Sequence, residues 1–432
     1  MKVCMLTSGH SHMDNRVFFK EACTLHQAGH DVSLVVPLSA EGYFLDPMHQ
    51  PISSLYPRTS FIENGIQIYG YQKKRRESDT MNPDEVRLQV LEDFIRFIEE
   101  DEFGNLEVDL IRKGMEIDAD IYHAHEISSA YAAIKVKQLK EKEGKKVKVV
   151  YDVHEYFPSI YGDVVAGEDQ YREAYREVIR KLERLFLHHS DLIITVSESI
   201  RDYLLQLYPH QNVHVIKNVP ILKEQPKRNN RDNAFPLVCY EGYIRFERGL
   251  KELVEATEIL STKYPQFRLL MVGQAAGHEA DFLHQAISEK QLHRHLVVTG
   301  WQTPEKAAEW LSHADIGIVF LIDAPYCRLT LSNKLFNYMR AGAAIIGMDY
   351  PDMGRIIKES GAGITISRFR TEELVHAVDE LLRDREKLEE LKEKSRVAYE
   401  TTYNWNVEGR KFLRIYEELS GSAARREEGN RA

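Results

Sequence analysis

The sequence predicts an α/β protein of two doubly wound domains with a cleft between them, and three observations predict it. Short apolar runs alternate with helix-patterned segments from end to end, the signature of parallel sheets wound through strand–helix–strand units. One polar segment, "KEQPKRNNRDN" from Lys223, breaks the alternation and carries Pro226, as a linker does. At 432 residues the chain is too long for one ordinary core and suits two domains of about 200 residues each.

The first domain is assigned to residues 1–225. Its strands read "KVCMLTS" from Lys2, "DVSLVVP" from Asp31, "IQIYGY" from Ile66, "DIYHAH" from Asp120, "VKVVYDVH" from Val147, "DLIITVS" from Asp191 and "VHVIKN" from Val213. Leu38–Glu63, rich in Pro and Ser, reads as a long loop, a plain surface insertion rather than a lid. Asp84–Glu100 places Val86, Val90, Phe94 and Phe97 at helical spacing, and Tyr171–Phe186 does the same with Tyr175, Val178, Ile179 and Leu182. Residues 226–236 form the linker. The second domain, 237–402, restarts with "LVCYEG" from Leu237, "RLLMVG" from Arg268, "HLVVTG" from His295, "IGIVFL" from Ile316, "AIIG" from Ala344 and "GITI" from Gly363. A closing helix, 403–420, precedes a tail, 421–432, too polar to pack and expected to be disordered. Two such domains bind ligands where the carboxyl ends of their strands meet the cleft.

Composition narrows the function. Hydrophobic content of 43% with 29% charged residues is that of a soluble globular protein, and a net charge of −10 opposes nucleic-acid binding. The cysteines Cys4, Cys23, Cys239 and Cys327 lie far apart with no C-x-x-C pair, which suits a reducing compartment and no structural zinc. "KVCML" is too short for a signal-peptide core, and no apolar run approaches the ~20 residues of a membrane span. A cytoplasmic protein is expected. The run Lys135–Lys148 carries seven lysines against two glutamates; it is a solvated helix face or a peripheral contact with anionic membrane.

The stretch "NKLFNYMRAGAAIIGM" from Asn333 is the most informative. It reads as a helix with Leu335, Phe336, Tyr338 and Met339 turned to a core, stopped at Gly342 and followed by a buried strand. A helix N-terminus offers free N–H groups and partial positive charge, a natural phosphate site, with Ser332, Asn333, Lys334 and Asn337 in or next to its first turns. "YEGYIRFERGL" adds Gly242 after a strand and Arg245 and Arg248 before the next helix, a second anion-binding feature.

In the first domain, Gly9 turns the loop after the first strand, and the helix carrying Phe18, Phe19, Ala22 and Leu25 ends at Gly29. No G-x-G-x-x-G is present. Asp14 and Arg16 read as a helix cap and a surface charge or as cleft residues. "YDVHEYFP" places Asp152, His154 and Glu155 just past a buried strand, where His154 can act near neutral pH. His123 and His125, two apart on a strand, face the same way, with no third metal ligand evident. Asp118 and Asp120 form a D-x-D string at the amino end of that strand, away from the cleft.

Taken together, "DNRVFFKEACTLHQAGHDV", "YDVHEYFP", "ITVSESIRDYL", "VIKNVP", "GYIRFERGL", "LSNKLFNYMRAGAAIIGMD" and "YNWNVEGRKFLRIYEEL" resemble the retaining glycosyltransferases of family 4. The resemblance covers most of residues 1–420, weakly over 38–118. It implies the GT-B fold of two facing Rossmann-like domains, with His154 near the reacting sugar and Arg248 in place of the diphosphate-binding lysine. It also implies a last helix, around Trp405, that crosses back to the first domain. Leu329 and Asn337 stand where the family has two glutamates, the second of which grips the nucleotide ribose. Replacing a charged acceptor by a neutral one costs ~1 kcal/mol. Tyr243 holds the position of the family's arginine, for which Arg245 on the same loop substitutes.

The resulting expectation is a retaining, metal-independent transferase of polysaccharide or cell-envelope biosynthesis. It would move a sugar from a nucleotide-diphosphate sugar, UDP-linked rather than GDP-linked, to a glycan, lipid-linked or small-molecule acceptor. No tightly bound cofactor, resident metal or nucleic-acid partner is expected. The candidate catalytic residues are His154, Arg248 and Asp14. The candidate donor-binding residues are Gly9, Gly242, Arg245, Arg248, Ser332, Asn333, Lys334 and Asn337. The alternatives are a GT-B scaffold that binds nucleotide without turnover, motivated by Leu329 and Asn337, and a sugar-nucleotide epimerase.

Overall fold

A computed structural model describes residues 1–56, 58–72, 83–100, 108–165, 169–209, 212–223 and 235–429. The chain forms two compact units. One comprises Met1–Lys217 with Gly409–Ala432, the other Asn218–Glu408. Most of the linker expected at 226–236 lies outside the described residues.

The first unit is built on strands β1 (Lys2–Thr7), β2 (Asp31–Leu38), β3 (Ser60–Glu63), β4 (Ile66–Gln72), β5 (Ile121–His125), β6 (Lys148–Val153), β7 (Leu192–Thr195) and β8 (Val213–Val215). They lie in the order β3-β4-β2-β1-β5-β6-β7-β8. All pairings are parallel except β3 with β4. β1, β5 and β6 are buried along nearly their whole length because both of their faces are covered, as parallel strands require. The chain winds from β1 towards β2 on one side and towards β5 on the other, so the switch point lies between β1 and β5.

β3 falls inside the segment expected to be loop. It forms an antiparallel hairpin with β4 through Asn64–Gly65, both at positive φ, a pair that favours such tight turns. The helix after β1 also departs from expectation. Its first part, Val17–Ala22, is wound as a π-helix before the α-helix Cys23–Gln27. Within it Phe19 is 38% exposed while Lys20 and Glu21 point into the interior, and Arg16, just before it, is buried as well. Arg16 is therefore not a surface charge.

The second unit holds β9 (Leu237–Glu241), β10 (Arg268–Val272), β11 (Leu296–Val298), β12 (Ile316–Val319), β13 (Ala344–Met348) and β14 (Gly363–Ile366). All are parallel, in the order β11-β10-β9-β12-β13-β14, so the switch point lies between β9 and β12. The helix Asn333–Ala341 packs on this sheet through Leu335, Phe336, Tyr338 and Met339, all buried. Tyr338 fixes its register: the buried hydroxyl donates to the Ile318 carbonyl (3.2 Å) and accepts from the Glu241 N–H (2.8 Å).

The last helix, Trp405–Gly429, crosses the division between the units. In the first unit its Tyr416 hydroxyl lies 2.7 Å from His123 Nδ1 on β5. The helix runs on past Ser420 to Gly429. No helix among the described residues is long and apolar enough to cross a membrane. Of the lysines in the basic run, Lys137 pairs with Asp191 (2.7 Å), Lys140 and Lys145 with Asp118 (2.8 and 2.7 Å), and Lys148 reaches the Leu419 carbonyl. Much of that charge is spent inside the unit.

Candidate functional site

At the first switch point, strand register sets Thr7 beside His125 and His125 beside Asp152, so three strands end together. Asp152 is fully buried and accepts two parallel hydrogen bonds from Arg16, Nε to Oδ2 at 2.9 Å and Nη2 to Oδ1 at 3.0 Å. Arg16 also donates to the Ile216 carbonyl at 3.0 Å and lies 3.0 Å from Glu21. Burial opposes the Asp152 charge, but Arg16 and then His154 overcome it and hold the carboxyl well below the usual range.

His154 sits just beyond β6. Its Nε2 lies 3.0 Å from Asp152 Oδ2 and 3.2 Å from His125 Nδ1. With Nε2 tied to an ionised carboxylate, Nδ1 is the ring atom left for a ligand. Glu155 turns outward and takes no part.

His123 and His125 do face the same way, their rings stacked at 4.4 Å and 22°. With Glu21 and Asp152 they form a buried set whose ligand atoms lie within 4.8 Å of one another, partners invisible in the sequence. Arg16 already satisfies the charge there. Burial lowers both imidazoles, His125 to about 4, and raises the Glu21 carboxyl.

The loop after β1 is held by a residue that the sequence reading missed. Glu126, the first residue of the helix Glu126–Lys142, has φ of 69°, a strained conformation for a non-glycine residue. Its carboxylate accepts from the Ser8 N–H (3.2 Å), the Ser8 hydroxyl (3.0 Å) and the Thr7 hydroxyl (3.2 Å), and lies 2.7 Å from His10 Nε2. A Cβ on Gly9 would lie 3.3 Å from this carboxylate, which explains the glycine. Asp14 takes His10 Nδ1 at 2.9 Å through one oxygen and the N–H groups of Arg16 and Val17, both at 2.8 Å, through the other. Asp14 is thus a helix cap and a partner of His10. Burial would discharge His10, but hydrogen bonds to Asp14 and Glu126 push it up to about 11. Its ring centre is 5.3 Å from that of His154.

At the second switch point the sequence-predicted cations converge. Gly242 follows β9 at φ 104°, a left-handed conformation. A Cβ there would lie 2.9 Å from Lys334 Nζ and 3.8 Å from Arg248 Nη1. Lys334 comes from the first turn of the helix Asn333–Ala341. Ser332 caps that helix with no side-chain hydrogen bond, so its opening amides are not claimed by a capping side chain. Arg248 ends the short turn Phe246–Arg248. Burial, with Arg248 alongside, lowers the Lys334 ammonium to about 7, and Glu241 works in the opposite direction. Arg245 is exposed, stacked 5.8 Å from the Tyr243 ring centre, and is not among the groups nearest Gly242.

Asn337 meets a partner that no motif announced. Its Nδ2 donates to both oxygens of Glu241, at 2.9 and 3.0 Å. The helix has no carboxylate at 337, yet one from the end of β9 lies against that side chain. Leu329, at the end of the short helix Pro325–Leu329, brings none.

Residues 103–219 match the family described as Glycosyltransferase Family 4, and residues 222–398 match Glycosyl transferases group 1. The chain is similar to an alpha-D-kanosaminyltransferase of Streptomyces kanamyceticus, 24% identical over 184 residues, covering 43% of this chain and 46% of that protein. It is also similar to a GDP-mannose:cellobiosyl-diphosphopolyprenol alpha-mannosyltransferase of Xanthomonas campestris, 23% identical over 220 residues, covering 50% and 56%. The chain thus spans about half the length of these relatives. Its structure resembles that of Anabaena HepE, determined in complex with UDP, with a TM-score of 0.67 and 13% identity over 97% of this chain and 100% of that one. That likeness establishes the fold: the parallel-sheet, Rossmann-like domains are those of GT-B.

Proposed function

We propose that this GT-B chain, with regions matching Glycosyltransferase Family 4 and Glycosyl transferases group 1, is a glycosyltransferase that uses a nucleotide-diphosphate sugar and retains configuration. The observation that carries the reading is the approach of Lys334 and Arg248 to the bare backbone of Gly242, beside a helix start without a side-chain cap. Such a group of donors suits a diphosphate, which gains negative charge as the sugar departs.

The donor nucleotide lies on the second unit, against Gly242, Arg248, Lys334 and the amides opening at Asn333. The acceptor hydroxyl lies on the first unit, near Gly9 and His154. Fixed cations neutralise the leaving group, so no metal ion is needed. Neutral His154 accepts a proton at Nδ1; as an imidazolium it donates one there. A UDP-sugar is the preferred donor, a choice supported by the UDP complex of the structurally similar HepE. The acceptor is a glycan, a lipid-linked sugar or a small molecule.

A thermal-shift screen against UDP-, GDP- and ADP-sugars tests the donor, because ligand binding raises apparent stability by mass action. Product analysis with the hit then reads anomeric configuration. An inverted product rejects retention, and the absence of any shift rejects the donor reading. A second reading, nucleotide binding without turnover, is favoured by Leu329 and Asn337. It predicts a shift with neither transfer nor donor hydrolysis.

A further inference from the structure

We propose that the first unit carries a buried metal site: Glu21, His123 and His125 bind a divalent transition-metal ion, zinc by their chemistry, through a carboxylate oxygen and two imidazole Nε2 atoms. The site goes beyond the transfer reaction and does not depend on it.

Buried polar atoms in a folded protein are normally satisfied, and an exception points to a ligand. His123 and His125 are fully buried, and among the described residues neither Nε2 has a hydrogen-bond partner. The same holds for both oxygens of Glu21, which is also fully buried. Arg16 Nε stands 3.0 Å from Glu21 Oε1, but its hydrogen goes to Asp152 Oδ2 at 2.9 Å. Arg16 therefore balances Asp152 and leaves Glu21 as the second carboxylate of the set.

The distances exclude direct contact. Glu21 Oε2 lies 3.7 Å from His123 Nε2 and 4.0 Å from His125 Nε2. Both are too long for a hydrogen bond and within the reach of two coordination bonds of about 2.1 Å that meet at one ion. The two histidines share a face of β5, so both Nε2 atoms meet the same Glu21 oxygen.

The far side of each ring is braced as metal-bound imidazoles are. The Tyr416 hydroxyl lies 2.7 Å from His123 Nδ1, and Asp152 Oδ2 lies 3.4 Å from His125 Nδ1. An Nδ1–H given to an oxygen leaves a lone pair on Nε2. Two imidazoles and a carboxylate suit zinc, whereas calcium and magnesium take oxygen ligands. Among the described residues no other group of His, Cys, Asp and Glu converges in this way. Glu21 comes from the π-helical turn Val17–Ala22 and the histidines from β5, so the ion clamps that turn to the sheet. Its role is structural; neutralising the leaving group stays with Lys334 and Arg248 on the second unit.

Metal analysis of the untagged full-length chain tests this, on protein produced with zinc, with cobalt or with neither added and then desalted. The wild type is expected to retain a single zinc ion per chain and to melt at a higher temperature with it. The cobalt form should show the visible absorption bands of a histidine-ligated ion. Glu21→Gln/His123→Gln should retain no metal. Tyr416→Phe keeps all three ligands and should bind zinc about ten- to a hundredfold more weakly in competition with a chromophoric chelator. A wild type that retains no zinc and melts at the same temperature with and without it overturns the inference; a water then bridges these side chains. Zinc retained equally by the double variant also overturns it and marks an adventitious ion only. Should the double variant fail to fold, absent cobalt bands in the wild type or unchanged zinc affinity in Tyr416→Phe overturns it just as well.

Discussion

Arg16 holds Asp152 through two parallel hydrogen bonds, 2.9 and 3.0 Å long, and both side chains are buried. Removing one partner strands the other charge in the interior. Arg16→Ala is expected to destabilise the protein by about 3–5 kcal/mol in urea titrations. A cost below about 1 kcal/mol, typical of an exposed pair, would show that the interaction is not buried in solution.

His10 should make stability depend on alkaline pH. Its folded value, about 11, lies above the ordinary 6.5 because Asp14 and Glu126 outweigh burial. A raised value means that the contribution is complete below about pH 6.5 and is lost as pH rises towards 11. The melting temperature of the wild type minus that of His10→Gln should therefore shrink between pH 6.5 and 10. A difference that is flat or grows with pH contradicts the assignment.

Lys334 carries the opposite sign. Its folded value, about 7, is below the ordinary 10.5, so the fold sheds this proton before the unfolded chain does, and its own contribution to stability rises from pH 7 to pH 10.5. Lys334→Met should remove that rise. A bound diphosphate favours the ammonium, so nucleotide binding at pH 7.5 should take up a proton. Calorimetry in two buffers of different ionisation enthalpy measures this, and equal heats would refute it.

His154→Ala and Arg248→Ala should each reduce turnover at least about a hundredfold, the usual scale for lost charge stabilisation in a transition state. Arg245→Ala should matter far less, because that side chain is exposed and stacks on Tyr243. Steady-state rates with the donor found by thermal shift check all three. Near-normal rates for the first two variants would exclude the assigned roles.

The strands were legible because parallel strands buried on both faces must be apolar throughout, and β1, β6, β9 and β13 read that way. β3 was missed because its pattern is short and half exposed, although Asn64–Gly65 marked the turn after it. That Lys334 and Arg248 come near Gly242 was legible because a helix start and a strand end are local signals. Glu126, Glu21 and Glu241 could not. Each is a single acid whose meaning comes from a partner distant in sequence; Glu241 and Asn337 are separated by 96 positions. Arg16 read equally as a surface charge or a cleft residue, because the Asp152 that buries it lies 136 positions away.

The hydrogen bond between Tyr416 and His123 joins positions 293 apart on the chain. During synthesis β5 leaves the ribosome long before the phenol that satisfies it has been translated. The amino-terminal sheet must therefore wait, one imidazole without this partner, until residue 416 has been made. Nascent chains arrested before codon 409 should accordingly be far more sensitive to protease across residues 1–217 than released ones.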